Sequence, residues 1–204
     1  MYGTFKEMRI AKAILYTIWE SSSGNACCRY GLSPSPFFKL KASFGFSQGY
    51  NVFGIGFYDV KFDGSSSKNA TDIRYERRFD NTIIDIGPEQ DNFFYLKPFA
   101  GIELTSDSAF YLISGIYLED NIGDLVTGKD NNWNFTPSFG VGYYDDGNGK
   151  KLGNKVEFRT TLEFSYQLVN KDRIGISFGH ISNANIGDKN PGVEIISISY
   201  QKPF

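Results

Sequence analysis

The chain has 204 residues and a formal net charge of -2, so it is long enough for one domain and carries no basic field that would attract nucleic acid. Aromatic residues make up 17% of the sequence and 22 residues are Gly, whereas the hydrophobic fraction of 41% is ordinary. No apolar run reaches the ~18 residues that a membrane-spanning helix needs. This composition fits two classes of protein, a membrane β-barrel and a soluble β-barrel that carries a ligand.

Residues 1–48 show little strand alternation and are predicted to be an N-terminal tail. Within the tail, the mostly basic stretch Lys6–Lys12 precedes the short apolar run Ala13–Trp19 and a group of small polar residues, which is the order of a secretory signal peptide. The two cysteines, Cys27 and Cys28, are adjacent, so the sequence has no disulfide framework and no zinc-ligand spacing.

Between residues 49 and 204 the side chains alternate with a period of two, which indicates β-strands. The alternation in Val156–Leu168 is longer than the ~10 residues that a tilted strand needs to cross a bilayer. The polar face of Asp72–Phe79 carries charges of both signs, as the packed lumen of a small barrel requires. The predicted strands are Tyr50–Tyr58, Asp72–Phe79, Phe94–Leu104, Ala109–Glu119, Phe135–Tyr143, Val156–Leu168, Arg173–Ser182 and Glu194–Phe204.

These eight strands predict an all-β fold, an eight-stranded antiparallel transmembrane β-barrel over residues 49–204. The chain ends on Phe204, with Tyr200 on the same parity, which resembles the C-terminus of bacterial outer-membrane proteins. A soluble barrel fits the alternation too, with the aromatic residues turned into a cavity. Phe37–Phe46 is a candidate ninth strand, interpreted here as tail or a short addition because single-chain bacterial barrels have even strand numbers.

The lengths of two connections between the middle strands conflict with this strand assignment. With both termini in the periplasm, the short TSDS link faces outward and the longer Gly123–Asn132 loop faces the periplasm. Small membrane barrels usually show the reverse. The sequence therefore leaves one middle strand open to reassignment.

Three chemically active side chains fall on one face of the last two predicted strands. His180, the single histidine, and Ser182 share the parity of Ile176, and Glu194 shares the parity of Ile196, which is the lipid-facing one. If the hairpin is symmetric about its turn, His180 lies opposite Glu194 at ~5 Å between Cβ atoms. Ser182 then lies ~6.6 Å along the strand, and the imidazole stands between hydroxyl and carboxylate as in a nucleophilic triad. The alternative is that His180 has only a structural role. However, a carboxylate such as Glu194 that faces lipid costs free energy, which argues for a function.

The segment GHISNANIGDKNPGVE resembles a known family. His180, Ser182, Asn183, Asn190 and Glu194 match, position by position, the pattern of the lipid A 3-O-deacylases (PagL-type), which are small outer-membrane barrels. The pattern is His-x-Ser-Asn, an Asn seven residues later and an acidic residue four further on. The preceding strand is also similar, and the resemblance covers about residues 134–204, with weaker likeness back to about residue 52.

The resemblance implies a serine esterase of the bacterial outer membrane that removes the ester-linked 3-hydroxyacyl chain at position 3 of lipid A. Its partner is the lipopolysaccharide substrate, and no metal or cofactor is expected. Whether the barrel forms a homodimer is left open. Ser182 is then the nucleophile, His180 the base and Glu194 the residue that orients it. Asn183 and Asn190 either donate to the oxyanion or only shape the turn. Two other functions remain, a non-catalytic barrel with a structural or adhesive role and a soluble carrier of a hydrophobic ligand.

Overall fold

Eight long antiparallel strands make up most of the residues that the structure describes. The structure is a computed structural model and describes residues 39–40, 48–61, 70–85, 95–123, 131–187 and 189–204. Each predicted strand is present, with its bounds shifted by about two residues or fewer. The strands are Gly49–Tyr58 (β1), Ala70–Phe79 (β2), Tyr95–Thr105 (β3), Phe110–Tyr117 (β4), Trp133–Asp145 (β5), Val156–Gln167 (β6), Arg173–Ser182 (β7) and Val193–Pro203 (β8).

The eight strands close into a barrel. Each strand pairs with its neighbours in sequence, and β1 pairs with β8 from Tyr58↔Ile195 to Tyr50↔Pro203. Closure pairs every long strand on both sides, so these strands leave no open sheet edge. The predicted eight-stranded antiparallel barrel is confirmed. In the described residues no helix is long and apolar enough to cross a membrane.

The middle strands need no reassignment. β3 and β4 pair continuously from Leu104↔Phe110 to Lys97↔Tyr117, so the short link between them is a tight hairpin turn. This turn lies at the same end of the barrel as the β1–β2, β5–β6 and β7–β8 connections, which we call the site end. The opposite end, which holds the barrel's first and last residues, is the terminal end.

The barrel presents apolar side chains outward and polar side chains inward. Large hydrophobic residues such as Phe57, Ile176 and Ile198 are more than half exposed, whereas Arg78 and Glu163 are fully buried. A soluble carrier has the opposite arrangement, with an apolar interior and a polar surface. The soluble alternative is therefore wrong, and the outer surface is one that faces lipid.

The lumen is filled by an ion-pair network. Glu163 accepts hydrogen bonds from Arg78 Nη1 at 2.6 Å and from Gln201 Nε2 at 2.8 Å. Arg159 bonds Glu103 through Nη1 at 2.7 Å and also pairs with Glu76. These side chains pair across the lumen and form a packed core of the kind expected for a barrel of eight strands.

Each end of the lumen carries a further set of contacts. At the site end the Tyr58 and Tyr144 hydroxyls are hydrogen bonded at 2.9 Å, and both rings belong with Leu152 to the barrel's buried apolar cluster. At the terminal end Arg173 Nη1 lies 2.7 Å from a carboxylate oxygen of Glu119. Burial opposes ionisation of Glu119, but the guanidinium outweighs it and lowers the pKa of this carboxyl below its usual value.

Three two-residue strands supplement the barrel. Lys39–Leu40 pairs with Ile84–Asp85, which pairs with the start of β3, and Asp120–Asn121 pairs with β5. The candidate ninth strand Phe37–Phe46 is thus represented by a short addition at Lys39–Leu40. The signal peptide predicted in the tail lies outside the described residues.

Candidate active site

The β7–β8 hairpin places His180 directly opposite Glu194, as predicted from the alternation. Imidazole Nδ1 lies 3.3 Å from Glu194 Oε1, within reach of a hydrogen bond from Nδ1–H to the carboxylate. The two side chains are 44% and 34% exposed, on the outer face of the barrel. A histidine oriented by a carboxylate in this way keeps Nε2 as the nitrogen that exchanges protons.

Ser182 is the last residue of β7 and shares the outward parity of His180. It lies one pleat beyond the imidazole, ~6.6 Å along the strand. Its cross-strand partner on β6 is Phe158. Hydroxyl, imidazole and carboxylate therefore occupy one patch of the outer face, and all three are only partly exposed.

Asn183 turns the other way, into the barrel, and is completely buried. Its Nδ2 donates to the carbonyls of Leu152 at 2.9 Å and Lys189 at 2.7 Å, which uses both N–H groups of the amide. Its Oδ1 accepts from the backbone N–H of Asn185 at 3.0 Å. The side chain thus ties the β7–β8 loop to itself and to the β5–β6 loop.

Asn190 closes the same loop from the other side. Its Oδ1 accepts the backbone N–H of Asn183 at 3.1 Å, and its Nδ2 donates to Asn185 Oδ1 at 3.3 Å. Only one of its two side-chain N–H groups is used in these contacts. Asn183 directly follows Ser182 in the sequence, and Asn190 is hydrogen bonded to the Asn183 backbone, so both asparagines lie in the loop that follows Ser182. The two asparagines differ in the number of side-chain N–H groups left for a ligand.

Gly192 is a site residue that the sequence reasoning missed. Its φ is +58°, and a Cβ built on it lies 2.9 Å from His180 Cε1 and 3.5 Å from Nε2. The main chain before β8 therefore packs against the Cε1–Nε2 edge of the imidazole, and only glycine leaves room for it. The Pro191-Gly192 dipeptide signals a turn, but nothing in the sequence links it to His180.

The depth of the site follows from the register. Ile174, paired with Tyr166 and Tyr200 near the terminal end, lies six residues before His180 on β7. Six residues span ~20 Å of strand, or ~15 Å along the barrel axis at the usual tilt of ~40°. The apolar band of such barrels is ~25 Å tall, so the patch lies in its site-end half, toward the interface.

The described residues contain no group of three or more His, Cys, Asp or Glu side chains placed to hold a metal ion. The chemistry available at the patch is that of a hydroxyl beside an oriented imidazole, which is nucleophilic acyl transfer.

Comparisons with known proteins point to the same chemistry. Residues 121–203 match the family model described as Lipid A 3-O-deacylase (PagL). A curated relative, lipid A deacylase PagL of Bordetella bronchiseptica, is 33% identical over 55 residues, which span 27% of this chain and 31% of the relative. The resemblance read from the sequence is confirmed, and the matched range contains all five motif residues.

The fold is similar to solved barrels. The crystal structure of the outer membrane enzyme PagL aligns with a TM-score of 0.57 and 15% identity, covering 76% of this chain and 99% of that chain. A de novo designed transmembrane β-barrel aligns with a TM-score of 0.48 and 12% identity, covering 76% of this chain and 96% of the design. At this identity, the likeness to the crystal structure supports the fold.

Proposed function

We propose that this chain, whose residues 121–203 match the lipid A 3-O-deacylase family, is an outer-membrane esterase that removes the ester-linked 3-hydroxyacyl chain at position 3 of lipid A. The observation that carries the proposal is the His180–Glu194 contact beside Ser182 on the lipid-facing surface, within the matched range. The family match supports deacylation of lipid A, and the triad and the position of the ester are the finer parts of the proposal.

Ser182 is the nucleophile in the proposed reaction. Its Oγ attacks the ester carbonyl while His180 Nε2 takes the hydroxyl proton, and Glu194 stabilises the imidazolium through Nδ1–H. The tetrahedral intermediate then expels the sugar oxygen, which receives the proton from Nε2. Water, activated by the same imidazole, hydrolyses the acyl-serine and releases the 3-hydroxy fatty acid.

The position of the triad suits a substrate that never leaves the membrane. The ester bonds of a lipid lie between its head group and its acyl chains, and the patch lies in the site-end half of the apolar band. Lipid A can reach Ser182 by diffusing sideways in the outer leaflet. This placement also gives a reason for three polar side chains, a carboxylate among them, on an outer surface where a charge facing lipid costs free energy.

The two asparagines take different parts in the proposal. Asn183 is a positioning residue, because both of its N–H groups are used on loop carbonyls. Asn190 is the oxyanion donor, because its Nδ2 keeps a second N–H beyond the one given to Asn185. Such a donor stabilises the charge that develops on the carbonyl oxygen in the transition state.

The test is mass spectrometry of lipid A from a Gram-negative host that expresses the barrel behind a reliable signal peptide. We expect loss of one 3-hydroxyacyl mass with the wild type and no loss with Ser182→Ala. Ser114→Ala is the matched control, because Ser114 is an outward-facing, exposed serine on β4, remote from the patch. Unchanged lipid A with a folded wild-type barrel in the outer membrane would favour a non-catalytic structural or adhesive role, and loss that persists in Ser182→Ala would refute the nucleophile.

A further inference from the structure

One row of outward-facing residues crosses four strands at the level of the imidazole. The register pairs Phe139 of β5 with Thr160 of β6, Thr160 with His180 of β7, and His180 with Glu194 of β8. Directly paired side chains have Cβ atoms ~5 Å apart. Thr160 is therefore the immediate neighbour of the imidazole on the side opposite Glu194.

Thr160 is a small residue among large ones. On its own strand the next outward-facing residues are Phe158 toward the site end and Leu162 toward the terminal end. The rings of Phe139 and Phe158 stack with centroids 6.0 Å apart and planes at 14°. Thr160 is therefore a small exposed side chain between two stacked rings on one side and the imidazole on the other.

The charges around the patch decide which way an acyl chain runs from Ser182. Along β7 the next outward-facing residue is His180, which must stay free to exchange protons. Toward β8 the chain would cross the Glu194 carboxylate, and apolar groups gain nothing by covering a charge. Toward β6 it meets Phe158 and then the small Thr160 side chain, beyond which the next outward-facing residue is the apolar Leu162.

We propose that Thr160 forms the floor of the channel that receives the first part of the substrate's acyl chain, so that the size of residue 160 determines whether the ester reaches Ser182. This inference rests on the proposed function. Thr160 is a specificity-determining residue through its volume, and its hydroxyl takes no part in the reaction. The Phe139–Phe158 pair is the wall of the channel on the β5 side.

The experiment compares substitutions by size and by polarity. Purified, refolded barrel is assayed for fatty acid release from lipopolysaccharide in mixed micelles. We expect Thr160→Phe to lower kcat/KM by about tenfold or more, since filling a binding pocket excludes the chain that it accommodates. Thr160→Val has nearly the volume of threonine without the hydroxyl and should stay within about twofold of wild type.

Thr71→Phe is the matched control. Thr71 is an exposed threonine on the outer face of β2, three strands from β7 through β8 and β1. It tests whether a bulky aromatic on the lipid-facing surface slows the enzyme in a general way. We expect wild-type activity from this variant.

Each other outcome has a defined meaning. A wild-type barrel that is folded but inactive would refute the proposed function itself. An active wild type together with wild-type activity in Thr160→Phe would overturn only the channel. Loss in Thr160→Val equal to that in Thr160→Phe would assign the effect to the hydroxyl, and an equal loss in Thr71→Phe would assign it to the surface as a whole; both overturn the inference. If Thr160→Phe does not refold, Thr160→Leu takes its place, with the same direction of effect expected.

Discussion

His180 is held by two contacts of different kinds. The Glu194 carboxylate lies 3.3 Å from Nδ1, and the main chain at Gly192 lies against the Cε1 and Nε2 edge. The first contact favours the tautomer that carries its proton on Nδ1, and the second limits the rotation of the ring. In the proposed reaction, an imidazole restrained on both edges loses little freedom when it accepts the proton of Ser182, which is the advantage of a preorganised base.

Substitution Gly192→Ala should displace the imidazole. A methyl group 2.9 Å from Cε1 is closer than carbon atoms pack, so the ring must move. We expect a loss of kcat of about 10²-fold, because a shift of ~1 Å is enough for that effect. The positive φ adds a stability cost of about 1 kcal/mol. Activity on lipopolysaccharide and urea unfolding in vesicles measure the two effects separately.

Gly147→Ala is the control for backbone strain. Gly147 has a φ of +50° in the β5–β6 loop, and its added Cβ meets Ser108 rather than the triad. It should destabilise the barrel to a similar or greater extent while the folded fraction keeps its kcat. Equal losses of kcat in the two variants would mean that loop strain, and not the imidazole contact, explains the effect.

The β5–β6 and β7–β8 loops are joined to each other by hydrogen bonds and close packing. Asn183 bonds the Leu152 carbonyl in one loop and the Lys189 carbonyl in the other. Gly153, at a φ of +96°, packs so closely on the Lys189 carbonyl that an added Cβ would lie 2.2 Å from its oxygen. Two loops joined through these hydrogen bonds restrain the residues that follow Ser182.

Substitution Asn183→Ala should loosen this pair of loops. It removes the donor to two carbonyls, and a buried acceptor left without a partner costs about 1–3 kcal/mol. We expect faster proteolysis in the β7–β8 loop and a lower kcat, with the eight strands intact. Limited proteolysis of the folded barrel and circular dichroism report these changes.

Asn170→Ala is the matched control at the other end of the barrel. Asn170 donates to Asp172 Oδ2 at 2.7 Å in the β6–β7 turn, so its loss also removes a loop hydrogen bond. Its variant should leave the β7–β8 loop resistant and the kcat unchanged. If Asn183→Ala keeps wild-type resistance to proteolysis and wild-type activity, the hydrogen bonds of Asn183 are not needed to hold the loop.

The strands and the outward face of the site could be predicted from the sequence because both depend on a period of two. Parity alone put His180, Ser182 and Glu194 on one surface, and the symmetric hairpin put His180 opposite Glu194. The roles of the loops could not be predicted. The buried position of Asn183 depends on a carbonyl in another loop, and the contact of Gly192 depends on how the hairpin turn folds back.

The barrel as a whole has the reverse arrangement of a soluble globular protein, with apolar residues on its lipid-facing surface and charged residues packed in its lumen. Pairing inside the lumen is set by closure of the sheet, since Arg78 of β2 meets Glu163 of β6 across the barrel. Alternation shows that both residues point inward, but not which partners they meet. The position of the patch likewise depends on the whole molecule, because the height of the apolar band decides whether a triad on the outer face lies near the ester bonds of a lipid.

Glu163 and Glu157 allow a matched test of the lumen network. Both are completely buried on β6, but Glu163 pairs with Arg78 and Arg74, whereas Glu157 forms no ion pair with the described residues. Glu163→Gln leaves two buried guanidinium groups without this counter-charge, and we expect a loss of about 3–5 kcal/mol in the free energy of unfolding. Glu157→Gln replaces a buried carboxyl that has no counter-charge and should be neutral or stabilising. Urea unfolding in vesicles compares the free energies of unfolding of the two variants. Equal losses would show that stability depends on the total charge in the lumen and not on the specific ion pairs of Glu163. Because neither side chain contacts the patch, the folded fraction of each variant should keep its activity, which separates the stability of the barrel from the chemistry on its surface.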